Sequence, residues 1–198
     1  MILMPTLEYI RISKDKKLLL LGVSEEGERS RYTVSESFYI GLGSPLSGYV
    51  FSDSELEAVR EEDDRIRATK KALSILSYAD NNEKSLENKL ARAGFSRRVS
   101  RRVTEEMATL GYIDEERQLR RLILKEANLN LCGYSKLLPK LVSKGYRAQS
   151  VKAVVLSLVS EGEIDFKANA KRLIEKRLPE DASITEKKAL LYKNGYKV

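Results

Sequence analysis

Ser85–Ile123 has the sequence SLENKLARAGFSRRVSRRVTEEMATLGYIDEERQLRRLI, and its pattern returns in Lys136–Ile174 as KLLPKLVSKGYRAQSVKAVVLSLVSEGEIDFKANAKRLI. Gly94 aligns with Gly145 at an offset of 51 residues, and the apolar positions and the basic pair before the final Leu-Ile keep the same offset. Repetition at a fixed period of 20–50 residues is typical of stacked helical repeats. The repeat therefore predicts the architecture before any local pattern is considered.

A third copy begins near the end of the chain and lacks its final helix. Leu191–Tyr196 matches Leu141–Tyr146, and the sequence ends two residues later. The pattern divides the chain into a small β-rich N-terminal region, the leading helix of repeat 1, the rest of repeat 1, repeat 2 and a truncated repeat 3. We place these segments at residues 1–51, 52–82, 83–132, 133–182 and 183–198.

Each copy of the unit is predicted to contain three helices. Asn82, Ser96 and Asp114 are suitable N-cap residues, and Gly94 and Gly111 suit the left-handed position that ends a helix. The predicted helices cover residues 53–80, 83–93, 97–110, 115–129, 135–144, 148–161, 166–177 and 184–194. Apolar residues expected on buried faces are Leu90, Val99, Val103, Met107, Leu110, Leu141, Val154 and Leu158. Pro139 falls inside a predicted helix, where we expect it in the first turn.

The N-terminal region has the pattern of a small antiparallel sheet. Strands are predicted at 7–12, 18–23 and 31–34, with a polar turn at 14–17 and one helical turn near 35–39. Ser52-Asp53-Ser54-Glu55 is a capping box, which predicts the start of the first long helix. Its expected apolar face carries Leu56, Val59, Ile66, Leu73 and Leu76. The fold class is therefore mainly α, with tandem three-helix repeats forming a curved solenoid behind a small β region.

The composition indicates an anionic partner and a reducing compartment. The chain has 198 residues, a net charge of +7 and 33% charged residues. A basic balance favours nucleic acid or an acidic protein surface, although ordinary solubility explains it equally well. No apolar run is long enough to span a membrane, and the N-terminus lacks a signal-peptide pattern. Because there is one cysteine, Cys132, we expect no internal disulfide and a cytoplasmic protein.

Residues for catalysis, cofactor binding or metal binding are missing. The chain has no histidine and no glycine-rich phosphate loop, and a single cysteine cannot form a thiolate zinc site. The acids at 61–64 are contiguous on a predicted helix, so we expect a solvated face and no cation site. The sequence therefore predicts a non-enzymatic protein without cofactor or metal.

Basic side chains are concentrated in the two copies. Between Lys84 and Arg102 the only acid is Glu87. Like charges at this density repel one another, which favours a binding face over a surface that serves solubility alone. The candidate partner-binding residues are Lys89, Arg92, Arg97, Arg98, Arg101, Arg102, Arg120, Arg121, Lys136, Lys140, Lys144, Arg147 and Lys152.

Three motifs occur at defined spacing in the helical part of the sequence. They are Ala72–Tyr78 followed by Ser85-Leu86-x3-Leu90-x3-Gly94-Phe95, then Leu110-Gly111-Tyr112-Ile113-Asp114, and Gly133-x3-Leu137-x3-Leu141-x2-Lys144-Gly145-Tyr146. In that order they resemble the opening helices, the helix junction and the second repeat of the RecX family, the bacterial regulators of the RecA recombinase. The chain departs from the pattern at Ser85, where the family usually has Glu, and at Asn128, where it has Arg.

The resemblance implies a regulator of recombination, DNA repair and the SOS response. Such a protein binds the groove of the RecA–DNA filament, lowers its ATP hydrolysis and strand exchange, and touches DNA weakly or through the filament. We expect it to act as a monomer. Two other functions fit the residues: direct nucleic-acid binding through helices that hold phosphates, and a helical-repeat scaffold in a larger assembly.

Overall fold

The N-terminal strands form an antiparallel sheet in the computed structural model, which describes residues 4–13 and 17–197. Strands β1 (Thr6–Ile12), β2 (Leu18–Glu25) and β3 (Glu28–Ser35) pair in the order β1-β2-β3. The apolar run of β2 takes the central place, where both of its edges are paired. The predicted three-stranded sheet is confirmed within the described residues. Most of the predicted turn at 14–17 lies outside them.

Helices make up most of the remaining chain, as predicted. Their bounds are α1 Glu36–Gly41, α2 Asp53–Tyr78, α3 Glu83–Arg92, α4 Arg97–Thr109, α5 Glu115–Leu124, α6 Tyr134–Ser143, α7 Ala148–Ser160, α8 Phe166–Arg177 and α9 Ile184–Lys193. The helix predicted at 115–129 changes after Leu124 into a π-helical turn, Lys125–Leu129. Within the described residues no helix is both long and apolar enough to cross a membrane.

The predicted helix caps are present. Ser85 N donates to Asn82 Oδ1 at 2.8 Å, and Val99 N donates to Ser96 Oγ at 3.2 Å. Asp114 accepts from the backbone of α5. At α2, Ser52 and Glu55 form the predicted reciprocal capping box. Each cap provides an acceptor for backbone N–H groups that the helix leaves unpaired.

Glycine at position 195 permits the backbone of the third copy to lie close to Lys136. Gly195 has a φ of 84°, and a Cβ there would lie 2.5 Å from the backbone nitrogen of Lys136. Gly145 is the equivalent residue of the second copy, with a φ of 99° and a Cβ position 3.0 Å from Lys84 Cβ. A side chain at either position would meet both a strained backbone and an occupied space.

The chain forms two compact units. The first contains Met1–Tyr78 and Glu87–Met107, and the second contains Ala79–Leu86 and Ala108–Val198. In the first unit the inner face of the sheet packs with α2 around a core of Leu7, Leu19, Leu21, Val23, Val34, Phe51, Leu56 and Val59. In the second unit α5, α6 and α7 share a core that includes Leu119, Ile123, Leu137, Leu141, Val151 and Leu158.

Most of the core predictions are confirmed, and two leucines are corrections. Leu90, Val99, Val103, Met107, Leu141, Val154 and Leu158 are all buried. Leu110 is 66% exposed, because it lies where α4 has ended and the chain turns at Gly111. Leu73 is 37% exposed, since α2 buries Ala68 and Ala72 there, and successive residues turn by about 100° around a helix.

Two further local predictions were wrong. Pro139 lies five residues after Tyr134, beyond the first turn of α6, on an exposed position. Glu62 does not lie on a solvated face, because it is 7% exposed and accepts hydrogen bonds from the backbone N and Oγ of Ser35. Its neighbour Asp63 accepts from Thr33 N at 2.7 Å. These two acids join α2 to β3, a tertiary contact that helical periodicity does not reveal.

Candidate functional site

Helix α4 presents four arginines on its exposed side. Arg97, Arg98, Arg101 and Arg102 follow one another at helical spacing, and all four are exposed. Arg97 and Arg98 occupy the first turn, which contains no acid. Cations near a helix N-terminus oppose the helix dipole. Local stability therefore does not explain this arrangement, and residues that break a local rule are often functional.

Carboxylates lie beside three of these arginines in the folded structure. Arg98 pairs with Glu61 of α2 at 2.9 Å, and Arg101 pairs with Glu105 one turn later at 3.0 Å. Arg102 lies 3.4 Å from Glu106. The three arginine side chains are 64–79% exposed. Exposed ion pairs contribute about 0–1 kcal/mol each, so a partner can replace them at low cost.

Arg97 differs from its neighbours. Among the described residues it has no carboxylate within ion-pair distance, and its side chain borders an open depression of about 620 Å³. The depression is lined by Glu87, Arg97, Arg98, Arg101, Arg102 and Glu105. An open surface with several guanidinium groups suits a macromolecular anion better than a small ligand, which requires an enclosed pocket.

Two basic residues precede this surface on α3. Lys89 and Arg92 lie in the last turn of that helix, and both are exposed. Cations at a helix C-terminus complement the dipole, which gives these two residues a local structural role as well. They therefore support a binding surface less strongly than the four arginines of α4.

Arg120 and Arg121 are held in contacts within the second unit. Arg120 donates from both terminal nitrogens to the Glu161 carboxylate and also contacts Ser157 Oγ at 3.4 Å. The hydrogen bond to Glu161 raises the pKa of the Arg120 guanidinium. Arg121 forms an ion pair with Asp80. These arginines connect α5 to the end of α7 and to the segment before α3, so internal contacts account for both.

The second copy carries exposed basic residues on α6, on α7 and on the turn between them. They are Lys136, Lys140, Lys144, Arg147 and Lys152. Lys140 lies 2.6 Å from Glu126, while the other four have no carboxylate within ion-pair distance in the described part of the chain.

Glu126 illustrates how the surrounding charges set a pKa. Burial opposes its ionisation, but hydrogen bonds from Lys140 and Asn130 outweigh burial and hold the pKa of Glu126 below its usual value. The pair therefore keeps a buried carboxylate charged and anchors Lys140 beside it.

Within residues 4–13 and 17–197, no group of three or more His, Cys, Asp or Glu side chains is arranged to hold a metal ion. Cys132 is 5% exposed, and burial raises the pKa of its thiol, which lowers its reactivity. The arrangement suits electrostatic binding of an anionic macromolecule.

The sequence is similar to a curated bacterial regulatory protein, although no protein-family model matches the chain. The regulatory protein RecX of Clostridioides difficile (strain 630) is 27% identical over 157 residues, which cover 76% of this chain and 72% of that protein. This match supports assigning the chain to the RecX family. The resemblance that the helical motifs predicted is thereby confirmed.

Solved RecX structures share the fold. A crystal structure of regulatory protein RecX has a TM-score of 0.71 and 18% sequence identity, covering 98% of this chain and 95% of that one. The crystal structure of RecX from Lactobacillus salivarius has a TM-score of 0.56 and 17% identity, covering 68% of this chain and 90% of its own. At this level of identity the two structures support the mainly helical fold with its N-terminal sheet.

One group of residues was missed by the sequence analysis. Tyr9, Arg11, Arg29 and Arg31 all lie on the face of the sheet opposite the core. The alternation Tyr9-x-Arg11 in β1 and Arg29-x-Arg31 in β3 could have revealed them, because every second residue of a strand points to the same face.

Proposed function

We propose that this chain is a non-catalytic regulator of a RecA-type recombinase filament, whose activity it lowers by binding in the filament groove. The match to a protein named regulatory protein RecX supports a regulatory role. A regulator that acts by binding requires neither cofactor nor metal, and we propose a cytoplasmic monomer without bound prosthetic group.

The observation that carries the proposal is the arginine surface of α4. Arg97, Arg98, Arg101 and Arg102 offer guanidinium groups whose internal partners are exposed and weakly held. Guanidinium binds carboxylates and phosphates through two parallel hydrogen bonds. A recombinase–DNA filament presents both kinds of anion, on protein subunits and on the DNA backbone.

Two candidate residues of the first copy correspond to candidate residues of the second copy and extend the proposal. Lys89 corresponds to Lys140, and Arg101 corresponds to Lys152, at the offset of 51 residues. We propose that the repeats, with boundaries near 83–132 and 133–182, stack as a solenoid and contact successive filament subunits. Several weak contacts on one chain then combine by multivalency, because each later contact is intramolecular. Lys136, Lys144 and Arg147 would add to this surface, while Arg120 and Arg121 would contribute less because their charges are already paired.

The deciding experiment is a pull-down with the tagged full-length chain. The recombinase is assembled on single-stranded DNA with a slowly hydrolysed nucleotide, and capture is compared with bare DNA and with recombinase lacking DNA. We expect strongest capture of the filament and slower ATP hydrolysis when the chain is added. Equal capture of bare DNA and filament, with unchanged ATP hydrolysis, would contradict the proposal.

A further inference from the structure

The outer face of the N-terminal sheet carries the aromatic ring of Tyr9 among exposed arginines. Strand pairing places Tyr9 of β1, Gly22 of β2 and Arg31 of β3 side by side. The neighbouring row contains Arg11, Leu20 and Thr33. The opposite face contains the core residues that pack with α2. On this outer face Arg11 and Arg31 are exposed, Tyr9 is half-buried and Gly22 beneath the ring is buried.

Because Gly22 has no side chain, it leaves space for the Tyr9 ring. A Cβ at Gly22 would lie 2.3 Å from Tyr9 Cε1 and 2.5 Å from Tyr9 Cζ, so the ring packs directly over the glycine backbone. The Arg11 guanidinium carbon lies over the same ring, 5.1 Å from its centre. The ring is therefore held between the sheet and the exposed Arg11 guanidinium, a weak cation–π contact at a solvent-accessible position.

Arginines on β3 supply positive charge next to this ring. Arg31 is exposed and has no carboxylate within ion-pair distance among the described residues. Arg29, two residues earlier, is 80% exposed and pairs with Glu8 at 3.0 Å. Glu8 therefore neutralises one of the three arginines. Arg31 remains in the row of Tyr9, across β2, and Arg11 lies over the Tyr9 ring.

We propose that this sheet face binds single-stranded nucleic acid. One base displaces the Arg11 guanidinium from the outer side of the Tyr9 ring and stacks there, and Arg31 and Arg11 hold the flanking phosphates. Proteins that bind single strands without sequence preference combine aromatic stacking platforms with a positive surface that follows the backbone, and arginine adds cation–π contacts. The depression beside the α4 arginines is lined by charged side chains without an aromatic ring among the described residues, which separates this proposal from the one above.

The chemistry of the face favours a single strand over an acidic protein or a duplex. An acidic protein surface would need the arginines alone and would leave the role of the supported ring unexplained. The bases of a duplex are already stacked on one another, so a flat ring on a sheet cannot reach their faces. A single strand satisfies the ring and the charges together.

A tryptophan replacement provides a direct test, because the chain contains no other tryptophan. In the full-length Tyr9→Trp variant the indole keeps an aromatic face over Gly22. We expect its fluorescence to be quenched when a dT20 oligonucleotide is added. A 20-base-pair duplex and poly-glutamate are the comparison ligands, and both should leave the emission nearly unchanged. No quenching by dT20, or equal quenching by the duplex or by poly-glutamate, would overturn the proposal.

Affinity measurements complete the test. Fluorescence anisotropy with labelled dT20 should show about tenfold weaker binding for Tyr9→Ala, because stacking of one base is lost. Tyr192→Ala, at a tyrosine that is 80% exposed on α9, is the matched control and should bind like the wild type. Arg31→Glu should reduce the slope of log affinity against log salt concentration by about one, as expected when one phosphate contact is lost. Arg177→Glu should leave this slope unchanged.

The sheet and the helical surface can be tested separately. When the four α4 arginines are reversed in the Tyr9→Trp background, dT20 should still quench the indole fluorescence, so failure of one proposal does not imply failure of the other. Circular dichroism establishes that each variant is folded. If Tyr9→Ala does not fold, the quenching experiment with Tyr9→Trp decides the matter. Wild-type affinity in a folded Tyr9→Ala variant would overturn the proposal.

Discussion

Tyr146 donates its hydroxyl hydrogen to Gln118 Oε1 across 3.4 Å inside the second unit. The equivalent residues of the next copy are Tyr196 and Asn169, and there the contact is missing. Asn169 is one methylene shorter than Gln118 and donates instead to the Ala127 carbonyl and Asn128 Oδ1. The Tyr196 hydroxyl is buried without a hydrogen-bond partner in the described chain. The Tyr196 site of the third copy thus has one hydrogen bond fewer than the Tyr146 site of the second copy.

Removing the unpaired hydroxyl should stabilise the protein. Burial raises the pKa of Tyr196 to about 12, which indicates how poorly its surroundings solvate a charge. A buried polar group without a partner costs about 1–3 kcal/mol, so Tyr196→Phe should raise the free energy of unfolding by about 1 kcal/mol. Tyr146→Phe is the matched change and should lower it by a similar amount, because it leaves Gln118 without its donor. Urea denaturation measures both, and equal effects of the same sign would contradict this account.

Acid should weaken the connection between α2 and β3. Burial opposes ionisation of Glu62, but hydrogen bonds from Arg65 and Ser35 hold its pKa below the usual 4.5. A lowered folded-state pKa stabilises the protein above the unfolded value, and this contribution is lost as the pH falls through the folded value. We expect Glu62→Gln to destabilise the protein by about 1–3 kcal/mol at pH 7 and to flatten the decline of stability below about pH 4.5.

The control for this experiment is Glu57→Gln on the same helix. Glu57 is 65% exposed and lies 3.6 Å from Arg60, so its loss should change stability little at any pH. Chemical denaturation at a series of pH values compares the two variants with the wild type. If the free energy of unfolding falls with pH in parallel for Glu62→Gln and the wild type, the carboxylate of Glu62 is not the titrating group.

Leucines at equivalent positions of the two copies should contribute strongly to stability. Leu90 and Leu141 are both fully buried. Leu90→Ala or Leu141→Ala should each lower the free energy of unfolding by about 2–5 kcal/mol through lost burial and a residual cavity. Leu156→Ala, at a residue that is 70% exposed, should change it by less than about 0.5 kcal/mol. Guanidinium denaturation of all three provides the measurement.

The proposed function predicts that reversal of the α4 charges abolishes inhibition of recombinase ATP hydrolysis. In this variant Glu replaces Arg97, Arg98, Arg101 and Arg102. Because Glu61, Glu105 and Glu106 lie beside three of these positions, reversal also introduces repulsion, and we expect a lower melting temperature. The corresponding quadruple Gln variant removes the charge without that repulsion. It should lose inhibition as well while melting close to the wild type.

A second set of substitutions separates surface position from net charge. Lys167, Lys171, Lys176 and Arg177 are exposed on α8, and reversing them changes the net charge by the same amount. This variant should still inhibit. Inhibition by the wild type should weaken between low and physiological salt, where the screening length falls to about 8 Å. Full inhibition by the α4 Gln variant would mean that another surface holds the filament.

The sequence alone determined the succession of elements, because local forces decide it. Asn82, Ser96, Asp114 and Gly94 mark helix ends through backbone hydrogen bonds or conformational freedom that need no distant partner. The repeat offset and the period of apolar residues then predicted most of the buried leucines, although Leu73 and Leu110 are exposed. The four arginines of α4 were recognised in the same way, since their common exposure follows from helical spacing.

Tertiary structure decided which charges are available and which are already paired. Arg120 and Glu161 are 41 residues apart in sequence, and Arg98 and Glu61 are separated by 37, so helical spacing could not predict either pair. Helical spacing predicted that Glu62 and Asp63 are solvated, but both accept hydrogen bonds from β3 in the structure. Tyr9 and Gly22 came together only through strand register, which depends on how β1 aligns with β2. Helix caps and apolar periods depend on neighbours within a few residues, whereas ion pairs and the faces of a sheet depend on which distant segments pack together.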